Sequence, residues 1–167
     1  MTNVVNTLSM LAQLDMDAVH AYGKAIARTG VQNVQEDLLI FQREHEKHAI
    51  LLCETILNLG ATPPSYGRDL KGLVMEGITA LRSATGTEGA LKAMRMNEIL
   101  TNRAYDNALK QDLPLPIREI LMRHKDDESR HLRVIEAAIA RRVWEQETIR
   151  PLRSPLAALR GRAVMAR

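Results

Sequence analysis

A carboxylate and an imidazole are spaced for joint metal binding in the motif Glu128-x-x-His131. The motif lies within a long amphipathic pattern that is typical of a helix. Residues three apart on a helix point the same way, so both side chains can reach one point. A single pair of this kind often arises by chance. Metal binding by this motif therefore depends on whether other helices bring further ligands to the same level along their axes.

Long amphipathic segments are predicted to carry these side chains. Apolar positions recur at three- and four-residue steps over residues 3–28, 32–59, 87–110 and 115–147, which indicates four helices. A shorter amphipathic segment at 67–83 is predicted to form a connecting helix. It lies within a crossover of roughly 27 residues, whereas the connections inside each helix pair are short. The pattern predicts an all-α four-helix bundle with one long crossover, occupying residues 1–147.

The first helix pair is predicted to bring three polar residues together. Each helical residue advances ~1.5 Å, so residues equidistant from the centre of a turn lie at about the same depth. A turn centred on Gly30 places Asp15 opposite His45, and His48 lies one turn further along the same face. Asp17 and His20 are a rival ligand pair on the first helix, two and five residues after Asp15, and the offset of two residues turns Asp17 towards another face.

The second helix pair predicts a matching set. A turn centred on Leu113 places Glu98 opposite Glu128, with His131 one turn along the same face. Burying three carboxylates without partners would cost several kcal/mol each. A metal pair removes that cost, and carboxylates with imidazoles suit iron, manganese or zinc. The alternative is a buried polar network without metal. Four further inward-facing residues are candidate hydrogen-bond partners around such a site: Tyr22, Thr101, Tyr105 and His124.

Composition narrows the class of protein. Aromatic residues make up only 3% of the chain, which argues against stacking platforms for nucleic acid. Cys53 is the only cysteine, so an intrachain disulfide or a cysteine-rich metal module is excluded. No apolar run approaches ~18 residues and no signal-peptide pattern precedes the first helix, which predicts a cytoplasmic protein without a membrane span.

The charge is concentrated at one end of the chain. The net charge is +3, yet residues 148–167 hold five arginines and no acidic residue. These residues are predicted to form a basic tail, either flexible or weakly helical. A contact between this tail and nucleic acid or an anionic membrane has weak support, because no aromatic residues are interleaved with the arginines.

The sequence resembles the ferritin-like superfamily, which includes rubrerythrins and bacterioferritins, over about residues 3–147. In that superfamily the first and third helices each give a carboxylate, and the second and fourth each give Glu-x-x-His. The matching residues are Asp15, His48, Glu98, Glu128 and His131. The stretch from Gly86 to Met94, followed by Asn97 and Glu98, resembles an uncharacterised bacterial branch of the superfamily.

One position departs from the resemblance. His45 stands where the superfamily has a glutamate that bridges two metals. Three carboxylates and three imidazoles carry less negative charge than four and two, which should lower the stability of an oxidised metal pair. The site is therefore expected to be an altered di-iron centre, a mixed or different metal pair, or a single-metal site. Glu44 is adjacent but about 100° away around the helix, so it could compensate only through a twist.

The resemblance implies an oxidoreductase that uses two metal ions, most simply iron, on dioxygen, peroxide or ferrous iron. Tyr22 or Tyr105 would supply a proton or an electron, and a separate protein would donate electrons. The alternative is iron storage or delivery, or a stress-associated helical protein without turnover. Exposed apolar positions on the first and second helices would suit a dimer, so a homo-oligomer, either a dimer or larger, is expected. The segment from Ser154 to Arg160 loosely resembles peptides that dock such proteins into protein shells, although a solvated tail is the simpler interpretation.

Overall fold

The computed structural model describes residues 2–65 and 85–145. Within these ranges the chain forms four long helices: α1 Thr2–Arg28, α2 Gln32–Asn58, α3 Gly86–Leu109 and α4 Leu115–Ala140. The prediction of an all-α four-helix bundle is confirmed. The predicted connecting helix at 67–83 and the basic tail at 148–167 lie outside the described residues.

The fourth helix is shorter than predicted. The periodic pattern suggested a helix to residue 147, but α4 ends at Ala140 and a short 3-10 turn follows at Val143–Glu145. Arg142 lies between them with a φ of 48°, in the left-handed region where helices commonly end. The apolar spacing of the sequence continues past this residue, so a prediction from periodicity alone places the end of the helix too late.

Each helix packs against two neighbours. The two hairpins, α1 with α2 and α3 with α4, have the most extensive contacts, and α1 also packs along α3. Two hydrogen bonds tie α1 to α3 at opposite ends: the Gly30 N–H donates to Thr87 Oγ1 at 3.0 Å, and Thr7 Oγ1 donates to Gln111 Oε1 at 2.8 Å. The two helices are therefore antiparallel. The seam between α2 and α4 is the most sparsely packed of the four.

Two apolar clusters fill the bundle, one towards each end. The first includes Leu8, Leu52 and Leu121, and the second includes Leu38, Phe41, Met94 and Ile135. Fully burying one such side chain contributes about 2 kcal/mol. A layer of buried polar residues lies between the two clusters on all four helices. The apolar clusters thus keep water from that layer on both sides. None of the helices in the described ranges is long and apolar enough to cross a membrane.

Candidate metal centre

All six predicted ligands lie in the buried polar layer. Five of them have no exposed surface and His48 is only 4% exposed. They form two groups, in each of which one donor atom per residue lies within 4.8 Å of the others. The first group is Asp15, His45, His48 and Glu128, and the second is His45, Glu98, Glu128 and His131. The groups share His45 and Glu128, so they adjoin and overlap within the polar layer.

Several donor atoms in this layer lack a hydrogen bond. Among the described residues, six buried side-chain polar atoms have no partner, and five of the six belong to the candidate ligands. These five atoms are His48 Nδ1, His131 Nδ1, Glu98 Oε2 and both carboxylate oxygens of Glu128. Buried polar groups are normally satisfied, because an unpaired one costs about 1–3 kcal/mol. Cations bound within the two groups would pair with these atoms, so the donor set fits metal binding.

The unpaired Nδ1 atoms of His48 and His131 face the centre of the polar layer because the other ring nitrogen, Nε2, is hydrogen-bonded to a carboxylate further out. The His48 Nε2–H donates to Asp127 Oδ2 at 3.2 Å, and the His131 Nε2–H donates to Glu44 Oε2 at 2.7 Å. Each Nδ1 is then the free acceptor. His48 Nδ1 lies 3.2 Å from Glu128 Oε1. Metal-binding histidines commonly have an outer carboxylate in this role, which fixes the tautomer and the ring orientation.

One arginine connects the two outer carboxylates. Arg130 Nη2 donates to Glu44 Oε2 at 2.9 Å and to Asp127 Oδ1 at 2.7 Å. Burial would raise the pKa of Glu44, but His131 and Arg130 together lower it. The pKa of Asp127 is likewise lowered by Arg130 and His48 against the effect of burial. Both carboxyl groups are therefore ionised acceptors.

His45 lies among the carboxylates of both groups. Its Nδ1 is 2.9 Å from Asp15 Oδ1, and its Nε2 is 3.3 Å from Glu98 Oε1. Burial alone would lower the pKa of His45, but Glu128, Asp15 and Glu98 outweigh it and raise that pKa well above the ordinary value. His45 therefore tends to hold a proton beside these carboxylates, which would offset part of their charge. A metal ion would have to displace this proton before binding to the same nitrogen.

The pKa values of Glu98 and Glu128, the two glutamates of the second hairpin, are shifted in opposite directions. Burial raises the pKa of Glu128, and the charges of Glu98 and Asp15 raise it further against the effect of His45. For Glu98, burial is outweighed by His131 and His45, and its pKa is lowered. Of the two glutamates, Glu98 therefore has the stronger tendency to be ionised. Two adjacent carboxyl groups separate in this way when like charges cannot both be accommodated.

Both predicted tyrosines contact the ligands. The Tyr22 hydroxyl donates to Glu98 Oε1 at 2.5 Å, and the Tyr105 hydroxyl donates to Asp15 Oδ2 at 2.7 Å. Burial, together with these carboxylates, raises the pKa of both phenols well above 10. They are therefore protonated donors. The Nδ1–H of His124 in turn donates to the Tyr105 oxygen at 3.1 Å, and its ring stacks on His48 with centroids 3.9 Å apart.

The rival ligand and the neighbouring acid lie outside the centre. Asp17 is buried, but its carboxylate accepts a hydrogen bond from Gln13 on its own helix and belongs to neither group. Glu44 reaches His131 from the outer side and does not replace the glutamate missing at His45. Thr101 donates to the carbonyl of Asn97 on its own helix.

Sequence reasoning missed three residues around the site: Asp127, Arg130 and Asn102. Asp127 and Arg130 are spaced i, i+3 on α4, and this spacing could have identified them as an ion pair beside the motif. Their contact with Glu44 on α2 depends on how the two hairpins associate. No turn joins α2 to α4, so counting residues from a shared turn cannot predict the contact between Glu44 and Arg130.

A pocket of about 260 Å³ lies between α2 and α4 next to the candidate centre. Its lining includes His48 and His124 from the inner layer and Glu44 and Asp127 from the outer one. It coincides with the sparsely packed seam of the bundle. Small molecules and ions can therefore approach His48 from this side without passing through an apolar cluster.

The fold and the site together define an all-α four-helix bundle with a buried carboxylate–histidine cluster. A family model described as Domain of unknown function (DUF2383) matches residues 3–111, which is more than half of the chain. The chain therefore belongs to the DUF2383 family. The match covers α1, α2 and α3 but ends before α4, which carries Glu128 and His131. A comparison with curated proteins gave no match, and a comparison with solved structures gave none either.

Proposed function

We propose that this protein is a ferritin-like metal protein that binds two metal ions in its polar layer and acts as an oxidoreductase on dioxygen, peroxide or ferrous iron. The observation that carries the proposal is the set of five unpaired donor atoms on the candidate ligands. Their convergence in two groups with shared residues supports a pair of ions rather than one. Iron is the first choice, and manganese and zinc suit the same ligands.

Histidine nitrogens and carboxylate oxygens would both bind the metal ions. His48 and His131 each present Nδ1, held there by Asp127 and Glu44. Glu128 belongs to both groups and has both oxygens unpaired, so it would contribute to holding both ions. The bound metals would supply one-electron chemistry with dioxygen or peroxide.

The tyrosines and the seam pocket would serve turnover. The Tyr22 and Tyr105 hydroxyls donate to Glu98 and Asp15, so they would hold these two carboxylates in place. Each tyrosine would also be a nearby source of a proton or an electron for the reaction. The pocket between α2 and α4 gives small substrates a route to His48. Because the chain has one cysteine and no cysteine-ligated iron module, electrons would come from a separate donor protein.

Activity of paired variants tests this proposal. Replacing Glu128 and His131 together by alanine removes two ligands of the second group and should reduce ferrous-iron oxidation or peroxide turnover by at least about 100-fold. The matched control is Asp126→Ala, which removes an exposed acid from the same helix and should leave activity unchanged. Retained metal and activity in the double variant would contradict the proposal.

A second candidate function, a helical protein with a metal-free polar core, is favoured by one observation. The His45 ring contacts Asp15 and Glu98 through its two nitrogens and already neutralises part of the buried charge. A chelator distinguishes the two functions. A metal bound only by the folded state raises the melting temperature, and the chelator removes that increase. If the core binds no metal, the chelator does not change the melting temperature.

A further inference from the structure

A buried amide connects the backbones of two candidate ligands. Asn102 lies on α3, one turn after Glu98, and is 7% exposed. Its Nδ2 donates to the carbonyl oxygen of Glu98 at 2.8 Å on its own helix. The same nitrogen donates to the carbonyl oxygen of Glu128 at 3.0 Å on α4. One amide group thus bonds the main chain at both glutamates.

The other end of this amide is also occupied. Asn102 Oδ1 accepts from Lys125 Nζ at 2.8 Å and from Ser129 Oγ at 3.1 Å, both on α4. The side chain therefore makes four hydrogen bonds, which is all that an amide with two donors and two lone pairs usually forms. The reversed orientation would turn Nδ2 towards the Lys125 ammonium, where two donors would face each other. The orientation is fixed by its partners.

The location of this bond gives it a consequence for the site. A single buried polar side chain can fix the register of two packed helices, because any slip leaves it unsatisfied. Here the bonded carbonyls belong to the residues that carry the two carboxylates of the second group. Moving α4 along α3 would break the bond between Asn102 and Glu128 and change the separation of the two carboxylates.

We infer that Asn102 is a positioning residue that sets the separation of Glu98 and Glu128 and so the spacing of the two metal ions. The inference rests on the proposed metal-binding function. Asn102 acts through the backbone of the glutamates, since its amide bonds their carbonyl groups. Its role differs from that of Arg130, which acts on the histidines from the outer face.

Cobalt(II) titration of the full chain tests this role. Asn102→Ala removes the bonds to both carbonyls, and the binding constant for the second cobalt ion should fall about 10- to 100-fold. The visible cobalt spectrum should change as well, because it reports on ligand geometry. Asn102→Ser is a milder variant whose shorter side chain can still bond its own helix but does not span to α4, and it should shift both readouts in the same direction.

Asn97→Ala is the matched control. Asn97 is a buried asparagine next to Glu98 on the same helix, and its Nδ2 has no hydrogen-bond partner within the described residues. This variant should leave the cobalt affinity and the visible cobalt spectrum unchanged, even if the melting temperature of the metal-free protein changes. A purely structural role for Asn102 predicts the same behaviour in its own variants.

The outcomes separate this inference from the proposed function. Variants of Asn102 that bind cobalt with wild-type affinity and spectrum, and differ only in melting temperature, overturn the positioning role while the metal site stands. If Asn102→Ala does not fold, the serine variant decides in the same way. A wild-type protein that binds no cobalt contradicts the proposed function and, with it, this inference.

Discussion

His45 determines the charge of the polar layer. A glutamate at this position would add a fourth carboxylate to a buried cluster, whereas the imidazole contacts Asp15 and Glu98, and the surrounding carboxylates raise its pKa against the effect of burial. A proton on this ring offsets part of the buried carboxylate charge when no metal is bound. Metal binding must then compete with this proton, which makes the affinity decrease as the pH falls.

A second histidine should make the fold sensitive to acid. Burial lowers the pKa of His124 to about 3, with His48 adding to the effect. The unfolded chain, with an ordinary pKa near 6.5, binds this proton first. The free energy of unfolding should therefore fall as the pH drops from about 6.5 to 3, by up to about 1.4 kcal/mol per pH unit from this group. The charged and titratable groups that face it are Asp15, His48, Tyr105, Arg123 and Asp127.

Denaturation of the His124→Asn variant across this pH range tests whether His124 makes the free energy of unfolding fall as the pH drops. The asparagine amide can still donate to Tyr105 but carries no titrating group, so the dependence of unfolding free energy on pH should be weaker than in the wild type. Equal slopes for the wild type and the His124 variant would exclude this contribution.

At the scale of the helices, Arg130 joins α4 to α2 across the sparse seam. Arg130→Met would leave Glu44 and Asp127 without their shared donor, and the histidines that they orient would be less well held. Metal affinity should fall by about 10- to 100-fold. The arginine is partly exposed, so the free energy of unfolding of the metal-free protein should fall by only about 1 kcal/mol or less.

The measurement is a metal titration of the variant alongside Arg133→Met, which removes an exposed arginine from the same helix. A large loss of affinity with a small loss of stability is expected only for Arg130. Equal affinities in both variants would show that the outer carboxylates orient the histidines without help from the arginine.

The helix scale also explains what the sequence could predict. Asp15 and His45, or Glu98 and Glu128, are joined by short turns, so a fixed rise per residue is enough to place them at equal depth. The contact between Glu44 and His131 joins α2 to α4, and the bond from Asn102 to the Glu128 carbonyl depends on the rotation of α3 against α4. Neither quantity is encoded in spacing along one helix. The left-handed Arg142 carries no compositional signal either, since it is neither glycine nor asparagine.

At the scale of the whole molecule, the bundle places a polar layer between two apolar clusters. The match to the DUF2383 family spans the three helices that carry Asp15, His45, His48 and Glu98. The fourth helix, outside the match, supplies Glu128, which belongs to both groups of candidate ligands. Metal at a hundred times its dissociation constant would add about 2.7 kcal/mol to the free energy of unfolding of the whole domain. Metal binding and folding are therefore expected to be coupled.

Metal content of the full chain, purified without chelator, tests the central claim most directly. Two bound ions per chain are expected, one for each group of ligands, together with a melting temperature that falls when a chelator removes them. Protein that contains no metal, takes up none on addition of ferrous iron, manganese or zinc, and melts at the same temperature with or without chelator would contradict the account.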